Sequence, residues 1–582
     1  ETMQREGPYP DDVTLTCALN ACSRTRSIDK GERIHDEIVD RGLLEKHLVL
    51  GNALVDMYSK CGVLVKAQQV LDQLPHRDVV SWNTLIQGYV QHGQGHEALC
   101  CFSRMQREGL SPNEVTIIGI LKACGITGDL EKGKQIHDNV IDKDSVKENI
   151  LIGTALVDMY AKCGALSKAR KVLEELRSRD VVSWNALIAG YAQQGQGHEA
   201  LICFERMLRD GHSPDEVTFT CILNACGDTG MIAKGREIHE QIANKGLLEE
   251  NILLGNALVD MYAKCGFLVK AQQVIEELRG RNVTSWNALI TGYTQYERGH
   301  EALNCFSWIQ KESLSPNLIT FTCILKACSS LRAIDKGKQI HAIIAARRLL
   351  DDNIMLGGAL VDMYAKCGAL AMALQLVQEL PIRNEVSWNA LIAGYAQHDK
   401  VHEALSCLAQ MQRDSIPDEV TFTCILKACS STGSLDKGKE MHSVIFNRGL
   451  LEKSIVLGNS LVDMYSKCGM LEKSQQVLTT LPVRDIVSWN ALIAGYVEYE
   501  YSREAFCYLE QMQHEGILQS AITYVCALKA CASIRAGMKG QKLHAEVIVK
   551  GLEADLDNSI LIDMYAKCGL LIEALELFDK IP

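Results

Sequence analysis

A chain of 582 residues is too long for one hydrophobic core, so several domains or a repeat array are expected. With 47% hydrophobic residues, 23% charged residues and only 10 prolines, the composition suits a helical protein and excludes a disordered one. A net charge of -12 argues against a strongly basic nucleic-acid binder, although a groove needs positive charge only locally.

No apolar run approaches the ~18 residues of a membrane span, so no membrane association is expected. The opening Glu1-Thr2-Met3-Gln4 has neither the apolar core of a signal peptide nor an arginine-rich amphipathic start. Because the sequence opens inside a repeat, any targeting segment is expected upstream of it. The 23 cysteines contain no C-x-x-C pair of the kind zinc sites favour. They recur in register, as in Cys61, Cys163 and Cys265 or Cys22, Cys124 and Cys226, and are expected to be small buried apolar side chains in a reducing compartment.

Taken in chain order, residues 1–11 are the tail of a motif, followed by triplets at 12–113, 114–215, 216–317, 318–418 and 419–520, and a partial one at 521–582. Each triplet holds a long, a short and a third motif type of 36, 31 and 35 residues, as in 114–149, 150–180 and 181–215. The fourth is one residue shorter, closing with Ser-Ile-Pro-Asp at Asp418. Every motif is expected to be two antiparallel helices. In 181–215, Val182, Leu187, Ile188 and Tyr191 have helical apolar spacing, Gly195 and Gly197 break it, and Glu199-Ala200-Leu201 restarts it. In the short motifs Gly62, Gly164, Gly266, Gly368, Gly469 and Gly569 fall where a left-handed helix cap is expected. A lone hairpin of this size cannot bury its apolar face, so the fold class is all-α, an α-solenoid of stacked hairpins in a right-handed superhelix. Trp184, Leu187, Tyr191, Ala200 and Phe204 follow a tetratricopeptide-like skeleton, which makes the repeated Trp82, Trp184, Trp286, Trp388 and Trp489 core residues and not base-stacking platforms.

Val-Val-Ser-Trp-Asn-Ala-Leu-Ile-Ala-Gly-Tyr, Leu-Val-Asp-Met-Tyr-Ala-Lys-Cys-Gly and Gly-Lys-Gln-Ile-His recur in fixed rotation over the whole chain. In this the sequence resembles pentatricopeptide repeat proteins, and more closely the plant subclass alternating P, L and S motifs (here the third, long and short types). The resemblance implies single-stranded RNA binding in a mitochondrion or chloroplast, usually to select cytidines for C-to-U editing. It also implies no cofactor and no catalysis by these repeats, the deaminase coming from a C-terminal segment beyond Pro582 or, with accessory editing factors, in trans.

The resemblance further implies that the fifth and last residues of each P or S motif read one base. An aspartate at the last position only accepts, suiting the ring N–H of uracil or guanine, whereas asparagine also donates, suiting the bare ring nitrogen of cytosine or adenine. Asn52/Asp78, Asn185/Asp215, Asn389/Asp418 and Asn459/Asp485 would favour U. Asn83/Asn113, Asn256/Asn282, Asn287/Asn317 and Asn490/Ser520 would favour C, and Thr154/Asp180 would favour G. Gly358/Asn384 departs from the pattern, and the L pairs Thr220/Asn251 and Thr322/Asn353 are weaker readers for A. Val80, Val182, Val386 and Val487 at position 2 would flank the bases, with core packing as the alternative; Thr284 breaks that series. Lys60, Lys162, Lys264, Lys366, Lys467 and Lys567 would touch phosphates or else pair with the aspartate four residues earlier. A constant position-5 asparagine could instead serve only to bond the adjoining repeat. The His-x-Glu segments at His35 and His544 imitate half of a zinc deaminase signature, but occupy an ordinary repeat position. A protein-interaction scaffold is the competing function, favoured by the acidity.

Overall fold

Helical hairpins this short need neighbours, and the computed structural model shows how they obtain them. It describes residues 10–44, 46–139, 146, 148–248, 251–351, 353–552 and 556–579. Among the described residues there are 34 helices and no strand, so the chain is an all-α solenoid. The second triplet runs Glu114–Thr127, Leu130–Asn139, Ile150–Lys162, Leu166–Glu175, Val181–Gln193 and Gly197–Arg209. Most of the expected N-terminal tail, residues 1–9, lies outside the described residues, as do 580–582.

The helices form two units, Glu1–Gly292 and Tyr293–Pro582, divided inside helix Val283–Gln295 and not at a triplet boundary. Within each unit the first helix of a motif packs on its own second helix and on the first helix of the next motif. The tryptophans are the expected core residues: Trp82, Trp184, Trp286, Trp388 and Trp489 are 0–4% exposed. The cysteines follow expectation less uniformly, since Cys17, Cys100 and Cys507 are exposed.

Both glycine classes have a physical cause. Gly62 takes φ +81° and ends its helix in a left-handed turn, with the Val63 amide donating to the Tyr58 carbonyl at 2.9 Å. Gly195 breaks the third motif at φ +70°. Gly197 does not break it: it sits inside the second helix, where a Cβ would stand 2.9 Å from the Ala225 carbonyl oxygen. The expected second break is therefore a close helix–helix approach.

A histidine on the second L helix meets a tyrosine on the following S helix throughout the chain. His35–Tyr58, His137–Tyr160, His239–Tyr262, His341–Tyr364, His442–Tyr465 and His544–Tyr565 join Nδ1 to Oη at 2.8–3.0 Å. Both His-x-Glu histidines thus hold repeats together. Burial holds His35, His239, His341 and His442 below the ordinary imidazole value of 6.5. A base with a lowered folded value binds its proton more readily when unfolded. The stability is therefore full above that ordinary value and is lost as pH falls below it toward the folded values. Replacing these four histidines by glutamine should flatten the fall in thermal midpoint between about pH 7.5 and pH 5.5, followed by circular dichroism; an unaltered slope would assign the acid sensitivity to other groups.

Candidate nucleic-acid interface

Each P or S motif ends on the residue that caps the first helix of the next motif. From Asp78 to Ser520 the last-position side chain accepts the amide three residues on, at 2.8–3.4 Å. Asp, Asn and Ser are the residues that satisfy these otherwise unpaired amides. The cap therefore limits what the last position can be, and fixes which of its oxygens faces the helix.

Position 5 of the same motif reaches this cap from the side. Asn185 Nδ2 lies 2.9 and 3.1 Å from the two Asp215 carboxylate oxygens. Asn389 with Asp418 and Asn459 with Asp485 repeat the arrangement at 3.0–3.1 Å, and Asn52 also bonds Asp78. Where the last residue is neutral, Asn83 donates to Asn113 at 2.9 Å, Asn256 to Asn282 at 3.5 Å and Asn490 to Ser520 at 3.3 Å. Pairs 26–30 residues apart in sequence thus become one polar cluster per junction.

The expected Asn287/Asn317 pair needs a correction, because its two members fall in different units. Asn287 belongs to the first unit and is buried. Asn317 belongs to the second, where it is an exposed helix cap: its Oδ1 accepts the Thr320 amide at 3.1 Å and lies 3.0 Å from the Thr320 hydroxyl. The physical reason is that the last residue of a motif must serve the helix that follows it, so Asn317 is held by the local capping box.

The bond to the adjoining repeat does not exhaust the pair. An asparagine amide carries two N–H groups and a carboxylate about four acceptor sites. Asn185 keeps one N–H, and Asp215 Oδ2 accepts only from Asn185 among the described residues. Burial pushes the carboxyls of Asp78, Asp215 and Asp418 up, but the capped amide, the hydroxyl at that same residue and the asparagine outweigh it and hold them below the ordinary value of 3.8. These groups are acceptors only at neutral pH.

Other sequence-predicted residues divide. Val80, Val182, Val386 and Val487 are 46–60% exposed, so core packing is not their role. Val80 lines a groove pocket of about 340 Å³ with Lys60, Asn83, Gln87, Asn113 and Val115. Its facing wall, Val115 at position 2 of the L motif, escaped the sequence reading, although Val217, Val420 and Ile522 occupy the same register and are equally exposed. All six lysines form the i,i+4 ion pair, from Lys60–Asp56 at 2.7 Å to Lys467–Asp463 at 3.0 Å. Lys264 also reaches Asp228 at 2.8 Å. Thr220 and Thr322 turn their hydroxyls back to the carbonyls of Glu216 and Leu318, while Asn251 caps its helix and bonds Glu216. Asn353 donates to the Leu349 carbonyl at 3.0 Å. The Thr154 hydroxyl, beside the Asp180 cap, is buried without a partner. Among the described residues no group of three or more His, Cys, Asp or Glu is placed to hold a metal.

Stacked helical hairpins with a polar pair at each junction define a repeat solenoid with one small site per motif. The chain belongs to the pentatricopeptide repeat family. The PPR repeat family matches residues 77–125, 179–228, 281–330, 383–431 and 484–533, and the PPR repeat matches further segments from 13–43 to 559–582. A mitochondrial pentatricopeptide repeat-containing protein of Arabidopsis thaliana is 32% identical over 98% of this chain and 74% of its own length. Another mitochondrial one from that plant is 31% identical over 98% and 62%, and a chloroplastic one 30% identical over 99% and 66%. The chain thus spans between 62% and 74% of the length of these relatives. Among solved structures, the pentatricopeptide repeat protein PPR10 from maize aligns over 100% of this chain and 94% of its own with a TM-score of 0.56 at 18% identity. PPR10 in complex with an 18-nt psaJ RNA element aligns over 92% and 84% with a TM-score of 0.54, again at 18% identity.

The cap and the polar pair separate by mutation. Asp215→Ala should cost about 1 kcal/mol in urea unfolding, the worth of an N-cap, whereas Asp215→Asn, which still caps, should change stability by less than about half of that. Equal losses would mean that the negative charge, and not the cap, holds this junction.

Proposed function

We propose that this chain binds single-stranded RNA sequence-specifically, with each P or S junction meeting one base. The observation that carries this reading is the hydrogen-bonding capacity left over at the junctions. At Asn185/Asp215 the spare groups are one N–H and one carboxylate oxygen, a donor beside an acceptor. Uracil offers the complement, a carbonyl oxygen beside its N3–H. At Asn83/Asn113 the Asn113 oxygen is committed to the Thr116 amide and to Asn83, so its own amide N–H groups are spare. Two donors suit cytosine, whose N3 and O2 both accept. Exposed valines on either side of the pair would sandwich the base, and the lysines would exchange their aspartate partners for phosphates.

Read from the first S motif with the RNA 5′ end at the protein N-terminus, the favoured string is U, pyrimidine, any, G, U, A-like, two pyrimidines, A-like, any, U, any, U, pyrimidine. The family and its organellar plant members favour a mitochondrial or chloroplast protein of the PLS subclass, serving as the specificity factor for C-to-U editing. The chemistry would come from a deaminase in trans or from a further segment of the protein. A scaffold binding other proteins is the alternative that the net charge of -12 supports.

Selection from a random RNA pool at low salt should enrich this string, and affinity should fall with salt less steeply than for a strongly basic binder. A pool without any enriched motif would favour the scaffold. Asp215→Asn should move preference at its own base from U towards C by roughly 1–2 kcal/mol, and Asn113→Asp should move its base the other way. Four RNAs differing only at the matched base measure this, and equal loss on all four would restrict Asp215 to capping.

A further inference from the structure

The third residue of the first helix differs systematically between motif types. It is threonine where a P motif meets an L motif (Thr116, Thr218, Thr320, Thr421, Thr523) and serine where an S motif meets a P motif (Ser81, Ser183, Ser285, Ser387, Ser488). The hydroxyl commonly accepts the backbone amide of the cap residue, as Thr218 does from Asp215 at 3.2 Å. A hydroxyl that accepts there still has its single proton to give.

Threonine gives that proton across the junction. Thr116, Thr218 and Thr421 stand 2.6 Å from Oδ1 of Asn83, Asn185 and Asn389, and all three hydroxyl-bearing residues are fully buried. Each also lies 2.8–2.9 Å from its own cap oxygen, the longer of the two contacts. Thr523 makes the same approach to Asn490 at 2.8 Å. Serine facing an aspartate cap keeps its proton at home: Ser81 donates to the Asp78 carboxylate and Ser488 to the Asp485 carbonyl, both at 2.8 Å. There Oδ1 of Asn52 and of Asn459 is buried without a partner. Serine reaches across at Ser285, to Asn256, where the cap is the neutral Asn282. The β-branch of threonine restricts χ1, while serine turns freely toward the stronger local acceptor.

We propose that this threonine, which belongs to the next motif, is a positioning residue of the reading site. It holds the asparagine carbonyl inward, so that the spare N–H of the amide faces the base. The inference rests on the base reading proposed above, and makes each P site depend on three residues from two motifs. It also grades the sites: Asn83, Asn185 and Asn389 are pinned from both sides, while Asn52 and Asn459 are pinned by the carboxylate alone and should discriminate less.

The test uses the whole chain and the four RNAs varied at the base matched to Asn185/Asp215. Thr218→Val removes the hydroxyl and keeps the shape. It should reduce U-over-C discrimination at that base by about three- to tenfold, the effect of losing one hydrogen bond. Discrimination at the base matched to Asn83/Asn113 should not change. Thr218→Ser should restore part of the loss, since the hydroxyl returns without the χ1 restraint, and Thr421→Val provides the same comparison at a second junction should the first variant unfold. If discrimination survives in both valine variants while Asp215→Asn still shifts it, the positioning role is wrong and the base reading stands. If Asp215→Asn shifts nothing either, the base reading fails and the inference goes with it. A uniform loss of affinity on all four RNAs, with discrimination intact, would leave Thr218 a structural cap and overturn the proposal.

Discussion

The capped junction is the constraint from which the rest of this molecule follows. A helix start leaves backbone amides without partners, and every motif here must start one within a few residues of the preceding hairpin. The protein satisfies them with the side chain that ends the previous motif, as Asp215 does for Thr218. That side chain is then held in one orientation and in one place by the stack. Asn185 completes the arrangement from the preceding first helix and converts a local cap into a bond between successive motifs. Structural and recognition roles therefore share the same atoms, and one does not exclude the other.

Such sharing explains why variation is confined. The position tolerates Asp, Asn and Ser, all good caps, and these differ in the donor or acceptor they turn outward. The alternation can therefore change what a junction presents with little effect on stacking. The L motifs show the contrast. Their last residue still caps in Asn251, but the position-5 threonines Thr220 and Thr322 bond their own helices instead of reaching a cap. The His–Tyr bond is the L motif's own device for stacking, joining its second helix to the S helix that follows.

Acidity and nucleic-acid binding meet in the lysine–aspartate pairs. Exposed i,i+4 pairs contribute only a few tenths of a kcal/mol, so exchanging the aspartate for a phosphate would cost the fold little. Lys60, at the edge of the Asn83/Asn113 pocket, is placed for that exchange. Net charge is a poor guide here because it counts the second helices, whose acids and bases pair mostly among themselves, as in Arg206–Glu174 and Arg104–Asp72.

The sequence by itself determined the repeat, the hairpins, the tryptophan core and the left-handed glycines, because these rest on local periodicity and on backbone conformations that only some residues adopt. It also singled out positions 5 and last, through resemblance. Only the tertiary structure decided that Asn185 and Asp215 touch, that Val80 and Val115 face one pocket, and that Gly197 marks a close approach instead of a turn. These facts depend on how one hairpin sits on the next, which no single motif encodes. Thr218 shows the division most clearly. In sequence it is a helix-start threonine, and its local job is a capping box. That its proton crosses to Asn185 is settled by a 2.6 Å approach between side chains 33 residues apart.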